Sequence, residues 1–275
     1  MAGSAFPDEL PPLPFHSPAE QIGTFRFAEP GYRIELVACE PMVQDPVVEM
    51  RGFMQDMERG TVKDPNGRIS VLEDHDGDGQ MDEATVFLDG LVLPRAIAIQ
   101  PDGVLVAENG KLWFSKDDDG DLICDSKELV DGHYARDNVE HSANGLCRAM
   151  DNWIYNAKEG HRFKRDGDRW VREKTERRGQ WGLCQDDKGR LFYNYNHSRL
   201  HTDLAPPNAL TRNPYHEPSF GIATSVTASN TVYPIRTTPA ANRGYITGAL
   251  DEHGRIKQFT SACAPMIYRG DLMPE

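Results

Sequence analysis

Three segments of this chain repeat one template, and no other feature restricts the fold as much. The template is a small residue, an apolar pair, a turn dipeptide and a short apolar strand. It runs Ala96-Ile97-Ala98-Ile99, Asp102-Gly103 and Val104-Leu105-Val106 in the first copy. The second copy is Gly145-Leu146-Cys147, Asp151-Asn152 and Trp153-Ile154-Tyr155; the third is Gly182-Leu183-Cys184, Lys188-Gly189 and Arg190-Leu191-Phe192-Tyr193. Each reads as a β-hairpin, because the central dipeptides tolerate the positive φ that tight turns between strands require. Further short strands are expected over 111–115, 162–164 and 169–172. Short strands in groups of about four, recurring every forty to fifty residues or so, predict an all-β fold of the β-propeller type.

Composition agrees with short strands and many turns: the 275 residues include 24 Gly and 19 Pro. No apolar run reaches the roughly eighteen residues that a membrane-spanning helix needs, so no membrane-spanning segment is expected. The net charge of -13 would repel a phosphate backbone and an anionic bilayer surface, which argues against nucleic acid as a partner. Five widely spaced cysteines form no CxxC pair and read as small buried residues rather than a redox framework. The N-terminus has neither a basic nor an apolar signal region, so no secretory signal peptide is expected in this chain.

Two acidic loops stand between the hairpin segments. Asp74, Asp76, Asp78 and Asp82 in the first, and Asp117, Asp119, Asp121 and Asp125 in the second, occupy positions 1, 3, 5 and 9 of a Ca2+-type loop. Oxygen ligands at that stagger wrap a hard cation, and Gly79 at position 6 supplies the turn. Leu122 takes that position in the second loop, while position 12 is Thr85 in the first and Glu128 in the second. The alternative is a pair of solvated acidic turns; with Ca2+ bound, the role would be structural.

The repeat also aligns two chemically active residues. His141 stands five residues before Leu146, and Arg178 five before Leu183. Equivalent positions in neighbouring propeller blades face one axial funnel, so the imidazole and guanidinium are expected to converge. Such a pair suits oxidation of an alcohol or hemiacetal, with His141 taking the hydroxyl proton and Arg178 stabilising charge on the hydride acceptor.

At these residues the chain resembles a known family. The segments 138–159 (NVEHSANGLCRAMDNWIYNAKE) and 178–198 (RGQWGLCQDDKGRLFYNYNHS) are similar to the six-bladed glucose/sorbosone dehydrogenase propellers that use pyrroloquinoline quinone (PQQ). Residues 31–41 (GYRIELVACEP), the twin acidic loops and 233–245 (YPIRTTPAANRGY) resemble more narrowly the membrane-bound dehydrogenase branch abundant in planctomycete-type bacteria. The resemblance implies catalytic roles for His141 and Arg178, a sugar or alcohol substrate, PQQ and Ca2+ as cofactors, and a periplasmic or otherwise extracytoplasmic location. It also implies a cytochrome-type electron acceptor outside this chain. Candidate cofactor-side residues are Asn144, Asn194, Asn196, His197, Asn242 and Arg243. The family's calcium-holding Gly-Pro is here His197-Ser198.

Against that family an inner hairpin of about ten residues is missing between Pro46 and Met50, and the chain stops soon after 265–268 begins another inner strand. The expectation is therefore an N-terminal arm over 1–28 and an incomplete propeller over 29–275, about four blades plus pieces. A non-catalytic, calcium-stabilised propeller that binds polysaccharide or a protein partner is the alternative, and a lactonase-like hydrolase a third reading.

Overall fold

The computed structural model describes residues 16–27, 30–43, 60, 63–135, 141–233, 244–260 and 263–271. The shortened hairpin expected near 46–50, and the candidates Asn242 and Arg243, lie outside the described residues. Among the described residues the secondary structure is fourteen strands and one seven-residue helix, an all-β composition. No helix among them is long and apolar enough to cross a membrane. The chain divides into two compact units, Met1–Leu93 with Asp117–Asp125, and Pro94–Lys116 with Ser126–Glu275.

In the first unit, α1 (Pro18–Thr24) falls within the expected N-terminal arm. Its start is a capping box: the Ser17 hydroxyl accepts from the Glu20 N–H, and the Glu20 carboxylate accepts from the Ser17 N–H, with Pro18 at the first helical position. Strands β1 (Gly67–Glu73) and β2 (Glu83–Leu91) form an antiparallel hairpin whose last pair is Glu73 with Glu83. Its apex is the first acidic loop rather than a two-residue turn, which is why the hairpin template does not announce it.

The second unit holds three four-stranded antiparallel sheets, none of them closed. The first is β3 (Pro94–Gln100), β4 (Gly103–Glu108), β5 (Lys111–Lys116) and β6 (Ser126–Asp131), in that order. The second is β7 (Asn144–Arg148), β8 (Ile154–Ala157), β9 (His161–Asp166) and β10 (Arg169–Lys174). The third is β11 (Leu183–Gln185), β12 (Leu191–Tyr195), β13 (Ser198–Thr202) and β14 (Thr224–Ser225). Each repeat hairpin thus supplies the first two strands of one sheet, and each meander adds two more.

The sheets pack in series. Leu105, Leu112 and Phe114 of the first sheet share a core with Ile154 and Phe163 of the second. Tyr155 of the second packs with Leu183, Leu191 and Tyr193 of the third. Burying each such side chain contributes about 1.5–3 kcal/mol. The first strands lie side by side, β7 against both β3 and β11.

Glycine makes that approach possible. A Cβ on Gly145 would lie 2.5 Å from the Gly182 Cα, and one on Gly182 would lie 2.8 Å from the Ala264 Cβ. Both glycines hold left-handed φ values, +62° and +66°. The Ala264 N–H donates to the Trp181 carbonyl (2.7 Å), which places the 263–268 segment beside β11 as β11 lies beside β7. The glycine that opens the second and third copies of the repeat is therefore a backbone contact point.

Gly145→Ala is expected to cost about 2–4 kcal/mol, because conformational strain and overlap add. Gly167, at φ +60° with nothing within 4 Å of an added Cβ, is the control. Its alanine variant is expected to lose only about 1–2 kcal/mol. Urea denaturation of both variants measures the difference.

Candidate functional site

The segment before β11 crosses the ends of two sheets. The Lys158 N–H donates to the Arg178 carbonyl (3.0 Å), and the Gln180 N–H donates to the Asn194 carbonyl (2.9 Å). Gln180, which the motif reading did not single out, is the hub. Its side-chain Oε1 accepts from the Asn196 N–H (3.3 Å), and its Nε2 lies 3.0 Å from His141 Nδ1. The Gln180 carbonyl accepts from Asn144 Nδ2 (2.9 Å), while Asn144 Oδ1 accepts from the Gly182 N–H (2.7 Å). His141, Asn144, Asn194 and Asn196 are thereby brought together around one glutamine. The Trp181 ring stands 6.3 Å from that of His141.

This network assigns the histidine tautomer. The Asn196 N–H needs an acceptor, so the Gln180 oxygen faces it and the amide nitrogen faces His141. Nδ1 therefore accepts, and in the neutral ring Nε2 carries the proton. A ring in this state donates a hydrogen bond through Nε2; a general base would need the Nε2 lone pair. Asn194 is 4% exposed and its Oδ1 has no hydrogen-bond partner. A buried carbonyl in that state calls for a donor, in protein, water or ligand.

Arg178 occupies different surroundings. It is 2% exposed. Nε donates to Asp203 (2.6 Å), one terminal nitrogen donates to Thr175 and to the Glu176 carbonyl (2.9 Å each), and the other donates to the Glu176 carboxylate (2.5 Å). Tyr193 donates its hydroxyl to the second Asp203 oxygen (2.6 Å). Burial works against the guanidinium charge, but Asp203 and Glu176 more than offset it and hold its pKa above the ordinary value. Burial alone would raise the Glu176 carboxyl; bonds from Thr211 and the backbone, with Arg178, draw it down to about 2.

These residues do not fit PQQ in the arrangement the resemblance implies. The quinone is a polyanion, and the guanidinium expected beside it is neutralised by two carboxylates of this chain. Among the described residues, the groups bonded to the Gln180 side chain and carbonyl are neutral amides and an imidazole. His197 is exposed at the turn between β12 and β13, where its carbonyl accepts from Asn230 Nδ2 (3.1 Å).

The two acidic loops, both in the first unit, fold alike position by position. Asp74 accepts from the N–H groups of Gly77 (2.8 Å) and Gly79 (2.9 Å), and Asp117 from those of Gly120 (2.6 Å) and Leu122 (2.9 Å). Asp76 and Asp119 each accept from the residue two ahead, as do Asp78 and Asp121. Asp82 and Asp125 reach back to His75 and Asp118. Leu122 holds φ +65° in the slot where Gly79 holds +91°, so the absent glycine does not change the turn. The carboxylates of Asp74, Asp76 and Asp78 approach within 4.8 Å of one another, as do those of Asp117, Asp119 and Asp125. At Asp119 a backbone bond from Asp121 lowers the pKa, but repulsion from Asp121, Asp125 and Asp117 prevails and raises it. All-carboxylate sets of this spacing suit a hard divalent cation, and Ca2+ fits them. The five cysteines form no disulfide with one another; four are half-buried and Cys263 is exposed.

Residues 17–275 match a sequence family described as Domain of unknown function (DUF7133). No curated protein matches the chain, and no solved structure does.

Removing the guanidinium takes the ion-pair partner from buried Asp203 and from half-buried Glu176, so Arg178→Met is expected to cost about 3–5 kcal/mol in urea unfolding. The fold favours ionised Glu176, so the unfolded chain binds more protons below its ordinary range. This stabilisation is complete above about pH 4.5 and is lost as pH falls toward 2. Stability measured against pH should therefore fall through that window, and less steeply in Glu176→Gln.

Proposed function

The chain belongs to the DUF7133 family, and we propose that it is a calcium-stabilised β-propeller-type domain that binds a neutral polyhydroxylated ligand, a sugar or polysaccharide, at the Gln180 cluster. The observation that carries this reading is the Gln180 side chain, which accepts from Asn196 and donates to His141 and so gathers neutral amides and an imidazole beside Trp181. Hydroxyl-rich ligands are recognised by neutral donors and acceptors beside an aromatic ring. The unpartnered Asn194 carbonyl, the Asn196 amide and Trp181 supply those elements, while Asn144 braces the cluster through the Gln180 carbonyl and the Gly182 N–H. The propeller reading is supported by the serial packing of the three sheets and by the Gly145, Gly182 and Ala264 contacts. Ca2+ would be held by Asp74, Asp76, Asp78 and Asp82 and by Asp117, Asp119, Asp121 and Asp125, bracing both loops.

The dehydrogenase reading requires His141 to accept a proton at Nε2, hence the opposite tautomer and a Gln180 amide turned against Asn196. An extracytoplasmic location and an external cytochrome belong to that reading. The test is isothermal titration with mono- and oligosaccharides together with a dye-reduction assay in the presence of Ca2+ and PQQ. Saturable sugar binding without dye reduction is expected, with affinity at least ~10-fold weaker in Gln180→Ala, the loss of about 1.4 kcal/mol. Sugar-dependent dye reduction would replace the binding reading with the dehydrogenase one.

Calcium occupancy has its own measurement. Ligation only in the folded state stabilises by about 2.7 kcal/mol at a hundredfold excess over Kd. Thermal unfolding is expected to shift upward with Ca2+ and downward with chelator, and the double variant Asp74→Asn, Asp117→Asn should lose most of that shift.

A further inference from the structure

A second constellation lies on β13, independent of the Gln180 cluster. Ser198 Oγ stands 2.5 Å from His201 Nε2, and His201 Nδ1 stands 2.9 Å from the Ala223 carbonyl oxygen. A carbonyl can only accept, so Nδ1 holds the ring proton and Nε2 presents its lone pair to the serine hydroxyl. This is the reverse of the His141 tautomer, and it is the state a general base requires.

The base is held firmly. Ala223 has φ +52°, a left-handed conformation that costs an alanine about 1–2 kcal/mol and survives only where its surroundings impose it. What imposes it is the buried network described above: the Ala223 N–H donates to Asp203 Oδ1 (3.1 Å) and to the Tyr193 hydroxyl oxygen (3.0 Å). The Ala223 peptide is thus anchored through its N–H while its carbonyl orients the imidazole. Tyr195 packs edge-on to the imidazole at 5.1 Å, and Tyr193 lies nearly parallel to it at 6.2 Å. Ser198 and His201 are both half-buried, neither sealed in the core nor fully hydrated. Nucleophile, base and orienting group therefore stand in the relation that defines an activated serine.

We propose that Ser198 is a nucleophile activated by His201, with the Ala223 carbonyl as orienting group, and that it accepts acyl groups from small carboxylic esters. In the first half-reaction Ser198 Oγ bonds to the ester carbonyl carbon and its proton passes to His201 Nε2. The tetrahedral adduct collapses, the C–O bond to the alcohol breaks, and the leaving alkoxide takes the proton from Nε2. Water then attacks the acyl-serine with His201 again as base, releasing the carboxylic acid and restoring the hydroxyl. No oxidant, metal or further co-reactant enters.

The experiment is labelling of the intact chain with an alkyl fluorophosphonate, read by peptide mass spectrometry. Oγ attacks phosphorus, fluoride leaves and the proton goes to His201. The expected result is an adduct on Ser198, absent from Ser198→Ala. His201→Asn keeps an amide donor for the Ala223 carbonyl and removes the lone pair, so it should fold, with a melting temperature lowered only by the lost ring contacts to Tyr193 and Tyr195. Its labelling rate is expected to fall at least ~100-fold, the range of general-base contributions. No adduct on Ser198 in the natural chain, or labelling of His201→Asn at the natural rate, would overturn the proposal.

Discussion

Backbone contact between successive first strands is the constraint on which the second unit rests. Where Gly145 meets Gly182, and Gly182 meets Ala264, there is no room for larger side chains. That closeness aligns the ends of β7 and β11, so that Asn144 can cap the Gly182 N–H and receive the Gln180 carbonyl. It also brings the residues after Arg178 over β12. Spread the first strands apart, and His141, Gln180 and Asn196 no longer share a network. The packing of small residues and the polar site are one geometric fact.

A second layer of organisation is the buried charge around Arg178. A buried guanidinium and carboxylate, Arg178 and Asp203, with half-buried Glu176 beside them, gain little net stability over an apolar core of the same shape. What they supply is fixed geometry. Asp203 ties Arg178, Tyr193 and Ala223 to one another, and Ala223 in turn orients His201. The network therefore links the segment before β11 to the loop before β14 and holds the Ser198 and His201 pair in register.

The repeat template made the hairpins β3–β4, β7–β8 and β11–β12 legible in the sequence, because tight turns and apolar alternation are local signals. The strands over 111–116, 161–166 and 169–174 were legible for the same reason. The β1–β2 hairpin was not, since its connection is a nine-residue loop that reads as a cation site before it reads as a turn. Nor was α1, whose capping box of Ser17 and Glu20 sits in a proline-rich stretch. At the site, counting back from the apolar strands aligns His141 with Arg178 by position, and in the fold it is Gln180, two residues after Arg178, whose side chain lies beside His141. Direction was another matter. Arg178 turns to Asp203, twenty-five positions on, and no local pattern marks that aspartate as its partner. Gln180 escaped notice because an amide has no motif; its role exists only once Asn196 and His141 are close. Leu122 shows the converse, a departure from motif that the backbone absorbs by holding a leucine at positive φ.

The most direct measurement of the central claim is the nuclear Overhauser effect between α-protons of successive first strands in the isotopically labelled chain. Cross-peaks between the Gly145 and Gly182 α-protons, and between the Gly182 α-protons and the Ala264 methyl, are the expected result. A folded protein whose spectra lack both would contradict the stacked-strand arrangement, and with it the Gln180 cluster built on it.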